Sequence, residues 1–192
     1  MSTDETAEFT YSYKPSVIGA GWSFRLTPAG IAWESGRRSG VTAYRDITKV
    51  RMSYRPATMQ SNRFETRVWA GRPAFAIVSA SWQGMFNQQA ASPDYTRFVT
   101  ELHRRLAASG SSATFEAGTH PFVFFFGILF SSVVGLAVAG LIWRAAGALD
   151  WGPVVVLVAM FAFFAWTGFN FFRRNWPTRY RAADPPKALL PD

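Results

Sequence analysis

The chain has 192 residues, with 20 lysines and arginines against 12 acidic residues, a formal charge of +8, 49% hydrophobic residues and no cysteine. The missing cysteines exclude a disulfide framework and any cysteine-ligated metal, and the length accommodates one soluble core but not two. The hydrophobic average conceals two regions: a mixed polar and apolar stretch before about Gly118, then two long uncharged runs.

The opening MSTDETAEFTYSYKP is acidic and polar. It lacks the positive-then-apolar pattern of a cleavable signal peptide, so the soluble domain is expected to start in the cytoplasm. Between Phe9 and Ser81, short alternating segments separated by PAG, SGRRSG and AGRP predict mainly antiparallel sheet. In ITKVRMSYR, Val50, Met52 and Tyr54 fall on one face, with Lys49, Arg51, Ser53 and Arg55 on the other. In RFETRVWAG, Phe64, Thr66 and Val68 alternate with Arg63, Glu65, Arg67 and Trp69, while Phe75 and Ile77 form a further core-facing pair. Asp46 is expected to cap or fix the turn before Ile47.

The polar stretch SWQGMFNQQAASPD offers a contact loop. The period then changes: SPDYTRFVTELHRRLAASG predicts an amphipathic helix with Ser92 as cap, Pro93 in the first helical position and an end near Gly110. Tyr95, Phe98, Val99, Leu102 and Leu106 form its apolar stripe, and Arg97, Glu101, Arg104 and Arg105 lie mostly outside it. That stripe needs a covering surface, which the open end of a bent sheet supplies.

Two runs follow, PFVFFFGILFSSVVGLAVAGLIW (121–143) and WGPVVVLVAMFAFFAWTGFNFF (151–172). The first extends about 34 Å as a helix, enough to cross a bilayer. Only RAAGALD separates the two, which predicts an antiparallel transmembrane hairpin. Arg173, Arg174, Arg179 and Arg181 follow the second span, whereas the connecting loop carries Arg144 and Asp150, so positive-inside asymmetry predicts both termini in the cytoplasm. Trp143 and Trp151 bracket the outer turn, and Trp176 and Tyr180 follow the inner end as expected headgroup-layer anchors. Gly127, Ser131, Gly135 and Ala139 repeat every fourth residue in the first span, and Ala162, Ala165 and Gly168 offer small positions in the second. These faces suit close helix packing within the hairpin or against another membrane helix, including that of a second copy. The resulting domain division is 1–118, 119–176 and a cytoplasmic tail 177–192.

The order FRLTPAGIAW as a first hairpin, AYRDITKVRMSY with its Tyr-x-Asp-Ile entry into a strand, further strands and a closing helix resembles the bacterial pleckstrin-homology-like domains over roughly Phe9–Ser109. The resemblance implies an α+β domain: a strongly bent seven-stranded antiparallel sheet capped by a C-terminal helix. Family members often carry their membrane segments before this domain, whereas here they follow it.

No nucleophile elbow, phosphate loop or metalloprotease motif occurs, and Glu34, Asp46, Glu65 and Glu101 stand singly, without the pairing that acid–base chemistry uses. His103 and His120 have no ligand-type neighbours at metal-binding spacing; His103 is expected at the surface or boundary of its helix and His120 at the membrane interface. The chain is therefore expected to be no enzyme and to need no cofactor. Arg37, Arg38, Arg45, Lys49, Arg51, Arg55, Arg63, Arg67 and Arg72 concentrate positive charge on the sheet and its turns. A solvated face, contact with anionic lipid and docking of an acidic partner are the alternatives for that charge, with Arg37, Arg38, Lys49, Arg51 and Arg55 as candidate contacts. Nucleic acid is not expected, because Tyr54, Phe64 and Phe75 read as core rather than as a stacking platform. The leading functional expectation is a non-catalytic adaptor or accessory subunit of a complex in the bacterial inner membrane. A lipid-headgroup-sensing module is the alternative.

Overall fold

The computed structural model describes residues 9–15, 20–58, 61–71, 75–82, 88–90, 92–147 and 151–191. Arg72 and the polar loop between Trp82 and Gln88 lie outside that description, as does the Ser92 side chain expected to cap the helix. The chain divides into two compact units. The first comprises residues through Gly118 together with Thr178 onward, and the second is Thr119–Pro177.

The first unit begins with β1 (Phe9–Tyr13), β2 (Trp22–Leu26), β3 (Gly30–Ser35) and β4 (Arg38–Ala43), which form an antiparallel four-stranded sheet in that order. A second sheet contains β5 (Lys49–Thr58), β6 (Ser61–Trp69) and β7 (Phe75–Val78), and a small hairpin pairs β8 (Ala80–Trp82) with β9 (Gln88–Ala90). Helix α1 (Ser92–Ala108) is followed by β10 (Thr114–Ala117).

The alternation read from the sequence is realised. Val50, Met52, Phe64, Thr66, Val68, Phe75 and Ile77 are buried, as is the α1 stripe of Tyr95, Phe98, Val99, Leu102 and Leu106. Rings link these layers: Tyr11 lies 5.7 Å from Phe98, and Phe24 lies 5.3 Å from Phe75. One continuous core thus joins both sheets and α1, the arrangement an amphipathic helix needs to keep its stripe dry.

Two details differ from the sequence reading. The second sheet is mixed, because β10 adds parallel to β5, and its order is β11–β10–β5–β6–β7. Strand β11 (Thr178–Arg179) belongs to the segment expected to be a free tail; it pairs antiparallel with β10, and Leu189 beyond it is buried. Asp46 sits in the turn before β5, a short 3-10 turn over Tyr44–Asp46, and among the described residues its carboxylate lies 3.7 Å from Arg45 and makes no cap hydrogen bond.

The second unit holds α2 (Pro121–Gly147) and α3 (Trp151–Arg174), which pack against each other. Both are long and apolar enough to cross a membrane, and almost none of either apolar stretch is buried. Phe122, Leu129, Leu136, Phe164 and Trp166 all face outward. Pro153 falls in the first turn of α3, where the missing amide donor costs little. At the other end, the Asn175 carbonyl accepts from the Thr119 amide and its side-chain amide donates to the Phe171 carbonyl, closing the base of the hairpin.

Candidate interaction surface

Strands β5 and β6 pair in register so that Lys49 opposes Trp69, Arg51 opposes Arg67, and Arg55 opposes Arg63 on the face away from the core. The parallel strand β10 sets Glu116 beside Arg51 on that same face. Arg51 donates from Nε (3.0 Å) and Nη2 (2.5 Å) to Glu116 Oε2, and Lys49 Nζ lies 2.8 Å from Oε1. Burial raises the Glu116 carboxyl, but the hydrogen bonds and charges of Lys49 and Arg51 outweigh it and hold the group below the usual carboxylate range. Lys49, Arg51 and Arg67 also surround the Trp69 ring at 5.6, 5.8 and 5.9 Å. At the far end of β5, the buried Glu65 receives Arg67 at 2.5 Å and Arg55 at 3.5 Å. Three of the candidate contacts, Lys49, Arg51 and Arg55, are therefore held in ion pairs inside one sheet face. Each carboxylate is shared by two cations, Glu116 by Lys49 and Arg51 and Glu65 by Arg55 and Arg67, so the face keeps a net positive charge that the pairs reduce.

Arg37 and Arg38 lie elsewhere, on the β3–β4 turn of the other sheet. Gly36 takes φ 61° there, a left-handed conformation that suits glycine in a two-residue hairpin. Both arginines are exposed, and among the described residues neither side chain has a hydrogen-bond or ion-pair partner. The five cations grouped by sequence proximity thus separate into a paired set on β5 and an unpaired set on the turn.

No family model matches the chain, and no curated protein or solved structure matches it either.

Two polar clusters were not evident from the sequence. His103, expected at the surface or boundary of its helix, is 1% exposed. Its Nδ1 donates to the Val99 carbonyl at 2.7 Å, which leaves Nε2 to accept the Tyr180 hydroxyl at 2.9 Å. Burial lowers the His103 pKa, with the Val99 hydrogen bond partly opposing it. Tyr180 is accordingly part of this core edge, its ring 5.7 Å from both His103 and Phe115, and not a headgroup anchor. The available signal was periodicity: His103 follows Val99 by four residues and sits beside Leu102 on the helix face, so position favoured burial where polarity argued against it. Glu101, expected outside the stripe, is 8% exposed and is chelated by Arg104 and Arg105. The Arg104 hydrogen bond, opposed by burial and assisted by Arg105, lowers its pKa.

In the hairpin the small residues do not pack backbone against backbone. A Cβ at Gly127 would meet the Phe172 ring at 3.4 Å, and one at Gly135 the Phe161 ring at 3.7 Å, so aromatic rings of α3 reach over glycines of α2. Ser131, Gly135, Ala165 and Gly168 line an apolar cleft of about 790 Å³ along the pair. Ala139 and Ala162 face outward.

Proposed function

We propose that the chain is a non-catalytic membrane-anchored adaptor or accessory subunit, with a pleckstrin-homology-like first unit presented at the cytoplasmic face of a bacterial inner membrane by its helical hairpin. The observation that carries this reading is the chain path: the hairpin is inserted between β10 and β11, whose residues Ala117 and Thr178 are register partners. A single folded unit built from both flanks of a spanning hairpin requires both flanks on one side of the bilayer. Arg173 and Arg174 at the end of α3 favour the cytoplasmic side. The exposed apolar surface of both helices supports spanning, because a soluble protein would bury such faces.

The order of four antiparallel strands, three more strands and a later helix supports the pleckstrin-homology-like reading; the β8–β9 hairpin before α1, and β10 and β11 after it, are additions to that pattern. Ion pairing of Lys49, Arg51 and Arg55 with Glu116 and Glu65 lowers the charge this face offers to headgroups, which supports the adaptor over the lipid-sensing alternative. Tethering raises the effective concentration of the unit near other membrane proteins, so a weak contact suffices for association.

The test is extraction of the tagged full chain in mild detergent, with the mass of the recovered particle measured. A larger complex at fixed stoichiometry is expected. Recovery as a lone monomer overturns the adaptor reading, and accessibility of the first unit from outside the cell overturns the topology.

A further inference from the structure

The strand edges of the first unit are not equivalent. The β7 edge is blocked: the Tyr11 hydroxyl donates to the Val78 carbonyl at 2.5 Å, and the Tyr13 hydroxyl donates to the Ala76 carbonyl. Strand β1 lies against α1 and β8. The opposite end of the mixed sheet is β11, only two residues long. Strand β4 differs from all of these. It runs six residues, Arg38–Ala43, and among the described residues β3 is its single ladder partner.

Its backbone groups can be assigned. The two-residue turn makes Ser35 and Arg38 the first bonded pair, so Arg38, Gly40 and Thr42 bond to β3. The N–H and C=O groups of Ser39 and Val41, and the N–H of Ala43, then point away from the sheet, while the Ala43 carbonyl stands at the N-cap of the 3-10 turn that follows. Residues 39–43 carry no charge and no proline, the usual devices that blunt an edge, and Val41 is 63% exposed. Cations stand at both ends: Arg37 and Arg38 where the strand begins, and Arg45 two residues past its end, with a side chain 88% exposed that lies 3.7 Å from the Asp46 carboxylate.

We infer that β4 is a strand-addition site for an extended segment of a partner protein that places an uncharged, β-branched stretch along residues 39–43 and acidic residues at both ends. Main-chain hydrogen bonds supply the attraction and the flanking arginines select for acid. The same charges disfavour a second copy of this chain. The register centred on Val41, which pairs the outward-facing residues of two copies, sets Arg37 against Arg45 at each end. The inference rests on the adaptor reading and names its docking surface.

The test uses the full chain in detergent and a labelled peptide, Glu-Glu-Thr-Val-Thr-Val-Thr-Glu-Glu, with binding followed by fluorescence anisotropy and the β4 amides by hydrogen exchange. Binding with protection of the Ser39, Val41 and Ala43 amides is expected. Val41→Pro removes an outward-facing N–H while leaving the β3 bonds, and it weakens binding about tenfold or more. Arg37→Glu with Arg38→Glu, which leaves the edge intact, weakens it comparably, as does a peptide flanked by lysines. Absence of binding, equal binding of the lysine peptide, unprotected β4 amides, or an unaffected Val41→Pro chain with an unchanged unfolding midpoint each overturns the inference. So does protection of these amides by phosphatidylglycerol vesicles alone, or by self-association. The two readings fail separately: a stoichiometric complex that survives both variants removes β4 from the adaptor reading, whereas peptide binding by a chain extracted only as a monomer removes the adaptor reading from β4.

Discussion

Replacing Tyr180 with phenylalanine isolates the contribution of the C-terminal segment to the first unit. The substitution keeps the ring contacts with His103 and Phe115, each at 5.7 Å, and deletes one hydroxyl. Because Nδ1 of His103 is committed to the Val99 carbonyl, Nε2 loses its donor in a residue that is 1% exposed. Leaving a buried acceptor unpaired costs about 1–3 kcal/mol, more than the net worth of an ordinary hydrogen bond, because water cannot replace the lost partner. Tyr180→Ala also removes a half-buried ring and costs about 3 kcal/mol or more. The double variant Tyr180→Phe with His103→Phe removes donor and acceptor together, so its cost falls below the sum of the single changes by about 1 kcal/mol or more. Urea unfolding of the full chain in micelles, with hydrogen exchange resolving α1 and β10, measures these differences. A Tyr180→Phe chain within about 0.5 kcal/mol of the parent, with unchanged α1 exchange, refutes the argument that this segment completes the core around His103.

The same histidine sets a pH dependence. Its folded pKa lies below the ordinary value near 6.5, so below about pH 6.5 the unfolded chain takes up a proton that the folded chain resists, and stability falls with acidification by at most about 1.4 kcal/mol per pH unit. The slope between pH 7 and 5 disappears in the His103→Phe chain; a slope retained there assigns it to another group. Glu101 and Glu116 have lowered pKa values, so their contribution is present above about pH 4.5 and is lost as the pH falls below that value through their folded pKa values, a second transition separable by acid titration. Glu116→Gln destabilises by about 1–2 kcal/mol, discounted for the partial exposure of Lys49 and Arg51, as measured by urea midpoint. In Gly30→Ala the new Cβ falls 2.1 Å from the Thr42 carbonyl oxygen and forces β3 from β4; a loss of about 2 kcal/mol or more in thermal unfolding is expected.

The chain by itself determined what depends on contiguous residues. Two uncharged runs announce the helices of the hairpin, and α2 and α3 extend beyond the expected spans by only a few residues at their C-terminal ends. Period-two alternation located the core faces of β5 and β6, and the 3.6-residue stripe located that of α1, because such patterns follow from backbone geometry alone. Burial of His103 and Glu101 was decided by residues far away in sequence or by competing local pairs: Tyr180 lies 77 positions from His103 and reaches it only after the hairpin has returned the chain to β10. The basic cluster is the clearest case. Proximity in sequence grouped Arg37 and Arg38 with Lys49, Arg51 and Arg55, but strand pairing brought Glu116 and Glu65 to the latter three and left the former two beside an open edge. Charge is written in composition; whether a charge is neutralised depends on which distant carboxylate the fold delivers to it.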